Sequence, residues 1–157
     1  MNIKINKLKI NIITILISLI AVTSLVFSCA CNKEVVLNET ELAFLNLIND
    51  VRIENNLNPL IPNQKLMDLA VSRCSEILER NYLPLNLLHY TVEGKRVKYG
   101  EILGRSNFIA IPEEFLNAWL NSQTHKEVIL NPIYKKIGIG IIDNGDSRII
   151  VILFSSR

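Results

Sequence analysis

The spacing of apolar residues predicts two helices in the first half of the folded part of the chain. Asn38, followed three residues later by Glu41, has the pattern of a helix N-cap with a capping-box partner. An apolar stripe then recurs at helical spacing as far as Asn55: Leu42, Leu45, Ile48 and Val51. A second and cleaner amphipathic stripe follows Pro62 and consists of Leu66, Leu69, Ala70, Arg73, Cys74, Ile77 and Leu78.

Two shorter helices are predicted further along the chain. Pro112 with Glu113 and Glu114 is typical of a helix start, because proline fits the first helical position and acidic side chains favour the positive end of the helix dipole. Ser122 predicts the N-cap of another short helix, which must end near Pro132.

The remaining segments predict a hairpin and a loop. Residues 137–142 and 148–154 are rich in β-branched side chains and flank an Asp-Asn-Gly-Asp turn, which predicts a hairpin of two central strands. Residues 81–100 lack periodicity, so we expect a long loop with one short strand. Helices followed by antiparallel strands predict an α+β fold, an α-β-α sandwich with a small central antiparallel sheet flanked by helices.

The N-terminus has the pattern of an export signal. An apolar run covers residues 10–27, three lysines precede it, and no acidic residue occurs before Glu34. The run ends in Val26-Phe27-Ser28-Cys29, which resembles the lipobox of bacterial lipoproteins, although Phe27 replaces the usual small residue. We therefore expect cleavage before Cys29 and lipid attachment to its thiol.

Two alternatives remain for this segment. The apolar run is about as long as a membrane-spanning helix, so it could be an uncleaved anchor. Cys31 is a second, poorer lipidation site, because no aliphatic residue stands at the start of its motif. The predicted organisation is a lipoprotein signal peptide over 1–28, a lipidated tether over 29–37 and one domain over 38–157.

Charge and cysteine content then argue against two classes of protein: nucleic-acid-binding proteins and small domains that depend on a disulfide framework. Of the 17 Lys and Arg residues, three lie in the signal peptide, which leaves 14 against 15 Asp and Glu in the mature chain. With no basic stripe, nucleic acid is not an expected partner. Apart from the lipidated cysteine, only Cys31 and Cys74 remain; they could pair, but Cys31 is in the tether, and we favour a buried free thiol at Cys74.

Several motifs resemble the CAP superfamily of cysteine-rich secretory proteins, antigen 5 and plant pathogenesis-related proteins, especially its small bacterial members. The resemblance covers about residues 40 to 154 and rests on motifs that occur in the family's order and spacing. These motifs are Ile48-Asn49-x-x-Arg52, Asn58-Pro59-Leu60, Gly100-Glu101-Ile102-Leu103, Trp119-x-x-Ser122-x-x-His125, Ile129-Leu130-Asn131-Pro132 and Ile137-Gly138-x-Gly140.

The resemblance implies a central cavity that gathers two histidines and two acidic residues. His89 and His125 match the two histidines, and Glu101 matches one acid of the set. The second acid of classical members falls on Ser122, so only three of the four residues are present. Two imidazoles and one carboxylate form a plausible ligand set for zinc or a related divalent ion, which we expect to bind only weakly.

Local spacing alone does not distinguish these residues from ordinary surface groups. The 12 residues from His89 to Glu101 and the 24 from Glu101 to His125 match no compact zinc motif. Ser122, three residues before His125, could be a nucleophile beside its base, but a helix cap is the favoured interpretation. Trp119 and the glycines at 138 and 140 are expected to serve packing.

Two functions from different classes are compatible with this sequence. The favoured one is a non-enzymatic binding module, anchored to the cell envelope outside the cytoplasm, that takes a small ligand, lipid, sterol or host protein in its cleft. The alternative is a hydrolase in which His89, Glu101 and His125 activate water directly or around a metal. Membership of such a fold family does not by itself decide between them.

Overall fold

The first helix begins where the capping pattern predicts it. In this computed structural model, which describes residues 34–80, 91–92, 95–106, 110–145 and 147–157, helix α1 spans Glu39–Glu54. The Asn38 side chain accepts a hydrogen bond from the Glu41 N–H, and the Glu41 carboxylate accepts one from the Asn38 N–H, each at 2.9 Å. Val35 and Leu37, which lie in the predicted tether, pack against the core.

The other elements include more strands than the predicted hairpin and one short strand. In chain order they are β1 (Ile61–Pro62), α2 (Gln64–Arg80), β2 (Thr91–Val92), β3 (Lys95–Arg96), β4 (Tyr99–Ser106), α3 (Pro112–Asn121), α4 (Gln123–Ile129), β5 (Lys136–Asp143) and β6 (Arg148–Ser155). β1 escapes prediction because it has two residues, one of them proline. β4 escapes because glycine and charged residues interrupt its apolar positions. The loop predicted over 81–100 therefore contains β2, β3 and the start of β4.

The strands form a four-stranded sheet in the order β1-β5-β6-β4, and β2 pairs with β3 separately. β6 is antiparallel to both β5 and β4, so the predicted hairpin lies at the centre of the sheet. β1 runs parallel to β5, which makes the sheet mixed rather than purely antiparallel. β4 lies at the edge of this sheet, opposite β1.

Helices cover both faces of the sheet, as strand β6 shows by its alternation. Ile149, Val151 and Leu153 pack with α2, as part of a cluster that includes Leu66, Ala70, Cys74 and Ile77. The alternate residues Ile150, Ile152 and Phe154 belong to the larger core on the other face, which α1, α3 and α4 supply with Phe44, Ile48, Phe115, Trp119 and Ile129. Successive side chains of a strand point to opposite faces, so a strand covered on both sides is apolar throughout. The α-β-α sandwich is confirmed.

Two glycines in β5 let α2 lie directly on the sheet. A Cβ atom on Gly138 would collide with the backbone of Leu66, and one on Gly140 would collide with the backbone of Ala70. The expected packing role of these glycines is confirmed.

Residues Val35–Arg157 form one compact unit. Within the described ranges, no helix has the length and apolar content needed to cross a membrane. The predicted signal peptide and Cys29 lie outside the described residues.

Candidate functional site

Glu101 lies in strand β4, directly after the segment that was predicted to be a loop. Its side chain points to the face of the sheet that carries α2, whereas the neighbouring Ile102 is buried in the core on the other face. On that second face, Gly100 lies against Tyr134 and against Val128 of α4. The strand therefore fixes the direction of the carboxylate through its alternation.

The carboxylate of Glu101 is paired with a cation from α2. Arg73 Nε donates a hydrogen bond to Glu101 Oε1 at 3.0 Å, and the Glu101 side chain is only 6% exposed. The second oxygen, Oε2, is buried and has no hydrogen-bond partner among the residues that the structure describes. Burial raises the pKa of the Glu101 carboxyl, and the hydrogen bond and charge of Arg73 oppose that rise.

Ser122 and His125 form a direct side-chain pair at the beginning of α4. Ser122 occupies the N-cap position, as predicted, and its carbonyl accepts a hydrogen bond from the Lys126 N–H at 2.9 Å. Its hydroxyl, however, does not cap the helix backbone. It lies 2.8 Å from His125 Nδ1 and 3.2 Å from the hydroxyl of Thr124. The capping role of the side chain is therefore wrong, and the hydroxyl instead fixes the imidazole ring.

The structure describes only part of the predicted set of site residues. His89 lies outside them, so the shared cavity of His89, Glu101 and His125 stays a prediction. Among the residues that the structure does describe, no cluster of three His, Cys, Asp or Glu side chains could hold a metal ion. Glu101 and His125 have different partners, Arg73 and Ser122.

The fit of a metal to these residues is therefore mixed. A buried carboxylate oxygen without a partner is a feature that a bound cation would explain. Against this, Arg73 already supplies a positive charge to the same carboxylate. A divalent ion at Glu101 would have to bind beside a guanidinium that stays charged at every pH of interest.

One open cavity of about 390 Å³ lies elsewhere. It is lined by Asn38, Glu39, Thr40, Ile141, Asp143 and Arg148. Arg148 and Asp143 pair across it at 2.8 Å. Of the predicted site residues that the structure describes, none lines this cavity.

Asn49 and Arg52, which belong to the family-like motif on α1, form hydrogen bonds with the backbone of neighbouring loops. The Asn49 side-chain amide donates to the Leu60 carbonyl at 3.1 Å, and its oxygen accepts from the Leu60 N–H at 2.8 Å. The fully buried Arg52 donates four hydrogen bonds to backbone carbonyls of the loop after α1 and of the turn after α4. The Asn-x-x-Arg motif is thus structural in this chain.

Comparison with known proteins decides the family. The model of the CAP family, described as the cysteine-rich secretory protein family, matches residues 45–154. The chain belongs to the CAP family. The match begins within α1 and ends within β6, so it covers both layers of helices and the sheet between them.

Solved CAP structures share the fold. An outer surface protein from Borrelia burgdorferi superposes with a TM-score of 0.65 at 25% identity, over 79% of this chain and 97% of that protein. An extracellular protein with an SCP domain from Bacillus anthracis superposes with a TM-score of 0.57 at 20% identity, over 72% of this chain and 39% of that protein.

Among the curated relatives is the uncharacterized protein YkwD of Bacillus subtilis strain 168. It is 26% identical over 119 residues, which cover 67% of this chain and 43% of that protein. A second relative, the uncharacterized membrane protein YlbC of the same strain, is matched over 31% of its length. This CAP chain therefore spans less than half the length of the curated relatives that it matches.

The residue that sequence reasoning missed in this CAP domain is Arg73. It stands within the apolar stripe of α2, where the periodicity suggested a core position. Its side chain is 12% exposed because the guanidinium turns to Glu101 and Glu76. A cation inside an otherwise apolar helix face is the signal that could have found it, since such a charge needs a buried acid as its partner.

Proposed function

We propose that this protein is a lipid-anchored CAP module that binds a ligand outside the cytoplasm and does not turn it over. The observation that carries the proposal is the pairing of Glu101 with Arg73, at 3.0 Å and with the carboxylate 6% exposed. A carboxylate that already accepts from an arginine, and that faces the protein interior, is poorly placed to take a proton from a water molecule. A protein that only binds a ligand does not need Glu101 to take up a proton.

The hydroxyl and imidazole at the start of α4 favour the alternative, a hydrolase. Ser122 Oγ and His125 Nδ1 are 2.8 Å apart, which is within the reach of a nucleophile and its base. Such pairs normally need a third group that orients the base. In the described part of the chain, no carboxylate bonds to His125. The three-residue spacing on one helix is also what a local, structural contact produces.

The proposed location rests on the N-terminal motif and on the relatives. Val26-Phe27-Ser28-Cys29 follows an apolar run with a basic start, the pattern of a lipoprotein signal. One similar structure is an outer surface protein and another is an extracellular protein. We expect lipid on Cys29 to hold the domain at a membrane, where its ligand is a lipid, a sterol or a host protein.

Weak binding of a divalent metal such as zinc belongs to the same proposal. His89, Glu101 and His125 would supply two imidazoles and a carboxylate, and water would complete the shell. The affinity is expected to be low because Ser122 stands where classical members have a second acid. Both imidazoles must also be deprotonated to coordinate, so protons compete with the metal for this site.

The anchor is tested by labelling cells with a radioactive fatty acid. Cys29→Ala should lose the label and release the protein from membranes, whereas the control Cys31→Ala should keep both. If Cys29→Ala keeps the label and Cys31→Ala loses it, the lipid is attached to Cys31. Membrane retention of both variants without label would favour the uncleaved helix.

Binding and hydrolysis are separated by native mass spectrometry of protein purified from its own cells. A retained small molecule or lipid, present at the same mass in His125→Ala, is the expected result. Turnover of ester or peptide substrates that is lost in His125→Ala and Ser122→Ala, and kept in the exposed neighbour Gln123→Ala, would favour the hydrolase.

A further inference from the structure

One end of the sheet carries a group of basic side chains. Strands β4 and β5 begin at this end and β6 ends there, because β6 is antiparallel to both. Lys98 directly precedes β4, Lys135 and Lys136 stand at the start of β5, and Arg157 follows β6. Lys98, Lys135 and Arg157 are exposed, and Lys136 is half-buried. We call these four residues the basic patch.

Backbone hydrogen bonds fix the spacing of the patch. The Lys98 N–H donates to the Ser156 hydroxyl at 3.1 Å, and the Lys98 carbonyl accepts from the Ser156 N–H at 3.0 Å. On the other side of β6, the Lys135 N–H donates to the Ser155 carbonyl at 2.8 Å. Lys98 and Lys135 therefore flank the end of β6, about 10 Å apart, which is two strand spacings.

The charge of the basic patch is not neutralised within the described part of the chain. No acidic side chain there forms an ion pair with any of its four residues. Two acids on neighbouring helices have other partners: Asp68 accepts from Gln64 at 2.9 Å, and Glu127 accepts from Gln123 at 2.7 Å. Cations that are held close together without acidic partners attract anions.

The other end of the sheet is acidic. Glu39, in the first turn of α1, lines the open cavity together with Asp143 and Arg148. Glu113 and Glu114 begin α3, directly after the segment whose carbonyl Arg148 contacts. Opposite charges are therefore concentrated at the two ends of the sheet.

Helix α1 connects the acidic end to the basic patch. It begins beside the cavity, and Arg52 near its end donates to the carbonyl of Tyr134, the residue before Lys135. Its 16 residues span about 24 Å. The predicted tether leads into the start of α1, so the basic patch lies at the end of the domain that is remote from the proposed anchor.

The aromatic residues beside the patch do not favour nucleic acid. Tyr134 belongs to the core on one face of the sheet, and Tyr99 packs against the cluster on the other face. The Tyr134 hydroxyl donates to the Tyr99 carbonyl at 3.1 Å. Neither ring is a free platform for a nucleic-acid base. Lysine ammonium groups are flexible point charges, which suit separate anionic groups along a chain.

We propose that the basic patch binds an anionic polysaccharide outside the cytoplasm, with sulfate or carboxylate groups of the polysaccharide against Lys98 and Lys135. This surface is separate from the candidate site at Ser122 and His125, and only the location outside the cytoplasm is taken from the proposed function. The basic residues are far apart in the sequence, so a search for a basic stripe does not find the patch.

Binding of a fluorescent heparin oligosaccharide to the full-length protein in a non-ionic detergent tests this. The wild type should bind it, and the affinity should fall as salt is added. The pair Lys98→Gln and Lys135→Gln should lower the affinity at least about tenfold, because two cations of the contact are lost. Loss of less than about threefold in this pair would overturn the proposal.

A matched control removes the same charge elsewhere. Arg80→Gln with Arg105→Gln changes two exposed residues in the parts of α2 and β4 that lie away from the patch, and should leave the affinity within about threefold. An equal loss in this control would mean that net charge alone attracts heparin, which would also overturn the proposal.

Other polyanions distinguish the choice of partner. Double-stranded DNA of equal charge and vesicles that contain phosphatidylglycerol should bind more weakly than the oligosaccharide, because a rigid duplex or a flat surface reaches fewer residues of so small a patch. Tighter binding of either would reject a polysaccharide as the partner. Absence of heparin binding by the wild type would reject the patch and leave the ligand-binding module standing.

Folding of the variants is checked by thermal unfolding. Lys98→Arg with Lys135→Arg keeps both charges and should retain the affinity within about threefold, since the patch acts through charge. A loss as large as in the glutamine pair would contradict this role. If the glutamine pair does not fold, Lys135→Gln alone replaces it, with Arg80→Gln as its control.

Discussion

The guanidinium of Arg52 donates a 2.6 Å hydrogen bond to the carbonyl oxygen of Ile129, 77 residues further along the chain. The same side chain also donates to the carbonyl groups of Asn58, Asn131 and Tyr134. Arg52 is fully buried, and burial lowers its pKa. The arginine therefore satisfies backbone carbonyls of two irregular segments and ties α1 to the turn between α4 and β5.

Replacement of Arg52 should destabilise the domain more than most single substitutions do. Arg52→Met keeps the apolar stem but leaves the carbonyl groups without donors, and each hydrogen bond from a charged group contributes about 1.5–3 kcal/mol. We expect the free energy of unfolding to fall by at least about 3 kcal/mol in urea titrations. The exposed Arg80→Met on α2 is the control and should change it by less than about 0.5 kcal/mol. Equal losses in Arg52→Met and Arg80→Met would contradict a stabilising role for the hydrogen bonds of Arg52.

The buried face of α2 differs from the predicted stripe, because Met67, which is not in the stripe, is buried and Leu69 is not. Leu69 is 43% exposed, so its predicted burial is wrong, while Ile77 is 1% exposed. Ile77→Ala should therefore cost about 2–5 kcal/mol of unfolding free energy, and Leu69→Ala less than about 1 kcal/mol. The free energy of unfolding of both variants is measured in thermal or urea melts. The two variants are a matched pair, because both shorten an aliphatic side chain of α2. A larger loss for Leu69→Ala would mean that this helix faces the sheet differently in solution.

Local patterns were sufficient for the helices and for the central hairpin. The capping box at Asn38 and Glu41, the proline start of α3 and the turn between β5 and β6 are chemical signals that act over a few residues. The close approach of α2 to Gly138 and Gly140 was also foreseeable, because a strand with alternating glycines leaves room for a backbone. These features depend on short-range sterics and hydrogen bonding alone.

The candidate site depends on contacts that no local pattern encodes. Arg73 and Glu101 are 28 residues apart, and their pairing requires α2, which lies over β5 and β6, to bring the Arg73 side chain to the edge strand β4. β4 itself was missed, so the direction of the Glu101 side chain could not be deduced. The contact between Ser122 and His125 is local, yet a serine before a helix more often caps the backbone. The periodicity also predicted a core position for Arg73, because the helical spacing shows which face a residue lies on and not which charged group it pairs with.

Cys74 is a buried free thiol, as predicted. Its Sγ lies 3.8 Å from the carbonyl oxygen of Ile149 on β6, inside the layer between α2 and the sheet. Burial raises the pKa of Cys74 to about 12, from an ordinary value of 9.0. The nucleophilic form of cysteine is the thiolate, so the native thiol should be inert at neutral pH.

The raised pKa of Cys74 predicts both protection from alkylation and a pH-dependent stability. Because the native thiol keeps its proton above pH 9 while the unfolded one loses it, the stabilisation is complete below about pH 9 and is lost as the pH rises towards 12. At about pH 10 the wild type should lose about 1.4 kcal/mol that Cys74→Ala does not lose, when urea unfolding of the two is compared with that at about pH 8. Iodoacetamide should modify the Cys74 peptide, identified by mass spectrometry, only after unfolding. An identical pH dependence in the two proteins, or rapid alkylation of native Cys74, would show that the thiol reaches solvent in the folded domain.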